Sequence, residues 1–94
     1  MRKYEAVYIF LPNLEEEQRN KQLDRLKSVI EENGEVTNVD EWGNRKLAYL
    51  INDIGEAYYV LINFEADKDT IAELNRVSKI SDIIMRHMII REEE

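Results

Sequence analysis

The stretch Glu35-Val36-Thr37-Asn38-Val39-Asp40-Glu41-Trp42-Gly43-Asn44-Arg45-Lys46-Leu47-Ala48-Tyr49-Leu50-Ile51 decides how this chain folds. Its pattern is strand-like but interrupted at Trp42-Gly43-Asn44. Gly43-Asn44 suits a two-residue hairpin turn between two short strands. Alternatively, Gly43 marks a bulge within one long, bent strand. The bulge is favoured here because it leaves a balanced order of elements along the rest of the chain.

Working outward, Asn52-Asp53-Ile54-Gly55 is a turn signal, and Tyr58–Glu65 beyond it is rich in strand-forming residues, so a hairpin is expected there. Before the stretch, Leu23, Leu26 and Ile30 recur at helical spacing with Val29 beside them, and Gly34 supplies a stop. Asn13 with Glu16 three residues later makes a capping-box pattern, and Glu15–Glu17 suit a helix N-terminus, so a helix is predicted over about residues 14–33. The segment 3–11 is aromatic and β-branched and is closed by Pro12-Asn13, which predicts a strand. Downstream, Asp67–Thr70 offers caps for a second helix burying Ile71, Leu74 and Val77. Ser81-Asp82 closes that helix, and Ile83–Arg91 forms a last strand.

The resulting order is βαββαβ. Two right-handed βαβ crossovers bring both helices to one face of a four-stranded antiparallel sheet. The expected fold is a ferredoxin-like α/β (α+β) sandwich with strand order 4-1-3-2, occupying residues 1–94 as one domain with a short acidic tail at 92–94. The second face of the sheet is left uncovered. On the first strand the two faces are Tyr4/Ala6/Tyr8/Phe10 and Glu5/Val7/Ile9/Leu11, both substantially apolar. A solvated face alternates toward polar residues. The open side is therefore expected to meet another macromolecule.

Ninety-four residues allow one modest core and no deep cofactor cavity. A composition 44% hydrophobic and 35% charged describes an ordered globular protein. The absence of cysteine excludes disulfides, thiolate metal sites and thiol nucleophiles, and fits a reducing compartment. Arg2-Lys3 precedes an apolar run, Tyr4–Leu11, too short for a signal-peptide core or a membrane span, so a cytoplasmic location without membrane association is expected. A net charge of −7 opposes general affinity for phosphate. The cations nevertheless gather at Arg2-Lys3, Arg45-Lys46 and Lys79–Arg91, while the acids crowd elsewhere.

Catalytic chemistry is thin. His87 is the one histidine, which leaves no metal pair and no Ser-His system. The Glu triplets at 15–17 and 92–94 read as a helix start and a solvated tail. The three glycines form no phosphate loop. No enzyme activity, cofactor, metal or small-molecule substrate is expected. Binding features are better placed. Trp42 at a bulge, beside Arg45 and Lys46, offers a stacking surface next to phosphate contacts. The RNA-recognition motif is not matched, because Tyr58-Tyr59-Val60-Leu61-Ile62 lacks its glycine and cation, so base stacking on the open central strands is not the expected mode. Arg86 and Arg91, with Arg2 on the neighbouring strand, point instead to backbone contact along one edge.

Three segments carry a resemblance: Met1-Arg2-Lys3-Tyr4-Glu5, Asp40-Glu41-Trp42-Gly43-Asn44-Arg45-Lys46-Leu47-Ala48-Tyr49, and Ile80-Ser81-Asp82-Ile83-Ile84-Met85-Arg86-His87-Met88. Together they resemble the bacterial small-subunit ribosomal protein six family, end to end and without large gaps. The Trp-Gly-x-Arg-x-Leu-Ala-Tyr run is the specific part. The resemblance implies a βαββαβ sandwich, one long strand through Gly43, and a structural role in the cytoplasmic ribosome. It further implies binding to the central domain of small-subunit ribosomal RNA as a heterodimer with ribosomal protein eighteen. By position it carries Arg2, Tyr4, Trp42, Arg45 and Arg86 over as RNA-side or interface residues, with Lys46 and Arg91 as like-charged replacements. Two positions depart from the family pattern. Asn44 stands where many members carry a second cation, and Leu50 replaces the proline or polar residue often found after Ala-Tyr. An acidic member that binds jointly with a basic partner need not be basic all round. A ligand-sensing regulatory domain of the same fold is the alternative; it would pair sheets edge to edge and bind a small metabolite.

Overall fold

Alternate residues of the first strand bury their side chains completely, and that alternation places the core. A computed structural model describes residues 1–51 and 54–92, the side chains of 48–51 excepted. Its elements are β1 (Arg2–Phe10), α1 (Glu16–Glu31), β2 (Glu35–Ile51), β3 (Ile54–Ala66), α2 (Lys68–Lys79) and β4 (Ile84–Arg91). The strands form one antiparallel sheet in the order β2-β3-β1-β4, the order expected from two right-handed crossovers. This is the ferredoxin-like sandwich.

One face of the sheet, carrying Ala6, Tyr8, Phe10, Val60, Ile62, Phe64 and Ala66, packs against Leu23, Leu26 and Ile30 of α1 and Leu74 and Val77 of α2. Both helices therefore lie on that face. Tyr8 is the polar point in this core. Its hydroxyl is 2.8 Å from Ser78 Oγ, which itself donates to Leu74 O at 2.7 Å, so α2 is tied to the centre of the sheet. Burial pushes the Tyr8 hydroxyl up to about 12, against the smaller opposite pull of the Ser78 bond.

The start of α1 differs from the sequence-based expectation. Asn13 is not the cap. The helix begins at Glu16, its N-cap is Glu15, and no side chain closes the cap. Asn13 instead takes φ 63°, the left-handed region that asparagine tolerates, and turns the chain after Pro12. Spent on that reversal, it is not available one step before the helix. The acidic residues Glu16 and Glu17 in the first turn face the positive helix end instead. At α2 the expected cap is present, with Asp67 Oδ1 accepting from Thr70 N at 3.0 Å.

Gly34 stops α1 by close approach, not by a left-handed cap, since Gly43 is the glycine with positive φ among the described residues. A Cβ at Gly34 would run into the backbone oxygen of Glu65 and lie 3.0 Å from Ile30 O and 3.3 Å from Ala66 Cα. These are backbone atoms of the end of β3 and of the last turn of α1, and they cannot move aside separately. Gly34→Ala should cost about 1–3 kcal/mol of unfolding free energy. A urea melt showing no change would mean the two backbones do not approach so closely.

β2 is one long strand. Glu41 pairs with Val60 and Gly43 with Tyr59, so Trp42 is an extra residue, and Gly43 adopts φ 84° with nothing within 4 Å of a Cβ placed there. That is the bulge, and glycine is needed there for its conformation. β1 runs out at Phe10 opposite Tyr58, while β2 and β3 continue pairing to Ile51 opposite Ile54. The last part of the β2–β3 hairpin is thus an arm with no third strand beside it among the described residues. The expected turn residues Asn52 and Asp53 lie outside the described residues.

Glu92 is not a solvated tail. Its N–H donates to Lys3 O at 2.9 Å, continuing the β4–β1 pairing, and its Oε1 accepts from Asn63 Nδ2 at 3.0 Å. Pairing with β1 outweighs the pull of water on one carboxylate that has its own partner. Glu93 and Glu94 lie outside the described residues.

Candidate nucleic-acid interface

The open face is set by the same alternation that fills the core, shifted by one residue. On it stand Val7 and Ile9 of β1, Tyr59 and Leu61 of β3, and Arg86, Met88 and Ile90 of β4. Met88 is 57% exposed and Ile90 47%, while the central Val7, Ile9 and Leu61 are half-buried among neighbouring side chains. No helix covers them.

At the arm end of this face the four strands line up one row. Register places Arg86 beside Ile9, Ile9 beside Tyr59, and Tyr59 beside Gly43 at the Trp42 bulge. Trp42, 41% exposed, stacks on Tyr59 with ring centroids 6.2 Å apart and planes 14° from parallel. Its Nε1–H donates to Asp40 Oδ2 at 2.9 Å, which fixes the indole in the plane of the stack. The extra residue at the bulge is what turns Trp42 onto this face. Arg45, opposite Ala57, stands on the same face one row further along the arm. The arrangement is an aromatic pair with Arg45 one row along the arm and Arg86 beyond Ile9, on a face that neither helix covers.

The other sequence-predicted residues lie elsewhere. Lys46 pairs with Glu56 on the opposite side of the arm. Arg2 and Arg91 belong to the helix-side face at the far end of β1 and β4, with Arg91 opposite Tyr4. At about 3.3 Å per strand residue, that end is roughly 25 Å from the arm. Arg2, Arg86 and Arg91 thus do not form one continuous edge: Arg86 joins the Trp42 row, and the other two make a separate pair. Arg86 also interacts within the chain. Tyr4 stacks on Phe64 at 5.6 Å and packs against the core, so its ring serves the fold. Asn44 faces Tyr58 across the arm on the helix side. The side chain of Leu50 is outside the described residues.

Tyr59 was not singled out from sequence, because its place beside Trp42 depends on a register that shifts at the Gly43 bulge and again between Lys46 and Ile51. A second cluster was also missed. Tyr58, facing the helix side, donates its hydroxyl to Glu41 Oε1 at 3.2 Å, and the Arg19 guanidinium lies 3.7 Å above its ring centroid. Burial pushes the Tyr58 hydroxyl above the ordinary tyrosine value; the Arg19 charge draws it down and Glu41 pushes it up. His87, on the helix-side face of β4, is a packing residue. It stacks on Tyr8 at 5.7 Å, and its Nε2–H donates to Asn75 Oδ1 at 2.9 Å. Burial first, and then the Lys79 charge, lower its pKa.

Comparison with known proteins bears on what this surface is for. The family model of ribosomal protein S6 matches residues 3–91. The chain is 56% identical to the small ribosomal subunit protein bS6 of Alkaliphilus oremlandii over 94 residues, with all of both chains covered. It is 54% identical to the bS6 of Thermoanaerobacter pseudethanolicus over 95 residues, again with full coverage of both. Among solved structures, the crystal structure of 30S ribosomal protein S6 from Thermotoga maritima superposes with a TM-score of 0.90 at 34% identity, covering 97% of this chain and 87% of that one. With relatives matched along their whole length and a fold shared with a ribosomal protein of that name, the chain belongs to the ribosomal protein S6 family of the small ribosomal subunit.

Proposed function

We propose that this small-subunit protein binds the central domain of the ribosomal RNA jointly with ribosomal protein eighteen, and that the arm end of the open sheet face is its RNA contact. The observation that carries this is the row Trp42–Tyr59–Ile9–Arg86 with Arg45 beside it. It is a stack with an exposed indole and cations in the same and the next row, on the uncovered face of an acidic chain. Stacking accepts any base, and the cations answer phosphate. Lys46 extends the same arm on its other side, while Arg2 and Arg91 are assigned a second, more distant contact. Tyr4 acts by holding the β1 end that carries Arg2.

Support for a protein partner comes from the remainder of the same face. Beyond the apolar middle (Val7, Leu61, Met88 and Ile90), the surface turns polar and acidic. Asn38 Nδ2 donates to Asn63 Oδ1 at 3.3 Å, and Asn63 donates on to Glu92. Glu5 stands opposite Asn63, and Asp40 opposite Leu61 at the border of the apolar middle. An apolar strip bordered by carboxylates is complementary to a basic protein. The family is one of structural ribosomal proteins, not enzymes, and its place is the ribosome in the bacterial cytoplasm. A metabolite-sensing role therefore has no support.

With a net charge of −7, the chain should bind RNA weakly alone and far more tightly with the basic partner present. Filter binding of a central-domain RNA fragment, with and without ribosomal protein eighteen, measures this. Equal affinity in the two arms would contradict joint binding.

A further inference from the structure

The arm that carries Trp42 and Arg45 is a two-stranded ribbon beyond Tyr58, and such ribbons twist freely and are marginal alone. Something must set its direction. One side chain from outside the sheet is placed to do so. Arg19, near the start of α1, lays its guanidinium 3.7 Å over the ring of Tyr58 on β3, and the Tyr58 hydroxyl donates to Glu41 on β2 at 3.2 Å. Helix and both strands of the hairpin are thus joined through one ring. On the other face, the next residue, Tyr59, is stacked on Trp42. The root of the arm is gripped from both sides.

The details of Arg19 agree with this role. A cation near a helix N-terminus gains nothing from the helix dipole. Among the described residues its buried Nε–H finds no acceptor, and the ring face of Tyr58 is the contact its guanidinium makes. Arg19 is half-buried.

We infer that Arg19 is a positioning residue: through Tyr58 and Glu41 it holds the arm so that the Trp42–Tyr59 platform and Arg45 are presented in one fixed attitude. It lies over Tyr58 on the helix side of the sheet, opposite the face that carries the Trp42–Tyr59 stack. Its consequence for assembly rests on the RNA-binding reading above; its hold on the arm does not.

The test uses the full chain. Arg19→Gln keeps a polar stem without charge, Arg19→Lys keeps a cation over the ring, and Tyr58→Phe keeps the ring without the Glu41 bond. Amide exchange should accelerate about 2- to 10-fold in Arg19→Gln at Gly43–Lys46 and Gly55–Tyr58, with core amides of β1 unchanged. Trp42 emission should shift in the same variant. Arg19→Lys should stay near the parent, and Tyr58→Phe should fall between. Assembly with RNA and partner should weaken by a factor similar to the gain in exchange. Unchanged exchange in Arg19→Gln overturns the inference. So does faster exchange with unchanged assembly, provided Trp42→Ala still weakens assembly. If Trp42→Ala and Arg45→Ala are also without effect on assembly, the RNA-binding reading fails instead, and the faster exchange still establishes the hold on the arm.

Discussion

Leu26→Ala should lower the unfolding free energy by about 2–5 kcal/mol. Leu26 is fully buried, in the middle of the apolar stripe Leu23–Leu26–Ile30 that seats α1 on the sheet. Truncation removes the apolar atoms from the core and leaves a cavity between a helix and strands that cannot close on it. α1 has little local help to offset the loss, because its N-cap makes no side-chain bond and its last turn carries no basic residue. Its ion pairs, Lys21 with Glu17 at 3.7 Å and Lys27 with Asp24 at 3.6 Å, are exposed on at least one side and contribute about 0–1 kcal/mol each. Denaturant melts read the effect directly. A neutral Leu26→Ala would mean that the stripe does not face the core, and the sandwich would have to be abandoned.

How far the sequence foretold the molecule differs between core and surface, for physical reasons. Strands and helices were legible because burial imposes a period: Tyr8, Val60 and Ile62 answer a period of two, and Leu23, Leu26 and Ile30 one near 3.6. The bulge at Gly43 was legible because a positive φ narrows the choice of residue. Asn13 misled, because asparagine serves equally well as a helix cap and as a left-handed turn residue, and only the geometry after Pro12 chooses between them. Among surface residues, Trp42 and Arg45 could be picked by type, but their partners could not. Which residue lies beside Trp42 depends on a register that the bulge shifts by one. Arg2, Arg86 and Arg91 looked like one edge because β4 and β1 are neighbours; alternation of faces then separates Arg86 from the others. Arg19 could not be seen at all, since its role depends on where a helix far from Tyr58 in sequence comes to rest on the sheet.

That register turns the open face into something that mutation can resolve. Trp42→Ala combined with Arg45→Ala should weaken joint assembly onto the RNA by about a hundredfold or more, since a lost stack costs about 1–3 kcal/mol and a lost phosphate contact adds to it. The two changes should separate in salt. Arg45→Ala alone should make the log–log salt slope shallower by roughly 0.7–0.9, one contact's worth, whereas Trp42→Ala alone should leave the slope where it was. Lys46 supplies the comparison from the same arm. It lies on the opposite side, beside Glu56, so Lys46→Ala should weaken assembly less than Arg45→Ala if the open face meets the RNA. Arg19 is unsuitable as a control, because it bears on Tyr58; Lys21→Ala with Arg25→Ala, both exposed on α1, should leave affinity and slope unchanged. None of the charge substitutions on the arm should move the melting point appreciably, because exposed charges contribute about 0–1 kcal/mol. Binding isotherms at several salt concentrations give affinity and slope together. If Lys46→Ala matters more than Arg45→Ala, the RNA lies on the helix side of the arm; if the α1 pair matters and the arm does not, the contact surface is misplaced altogether.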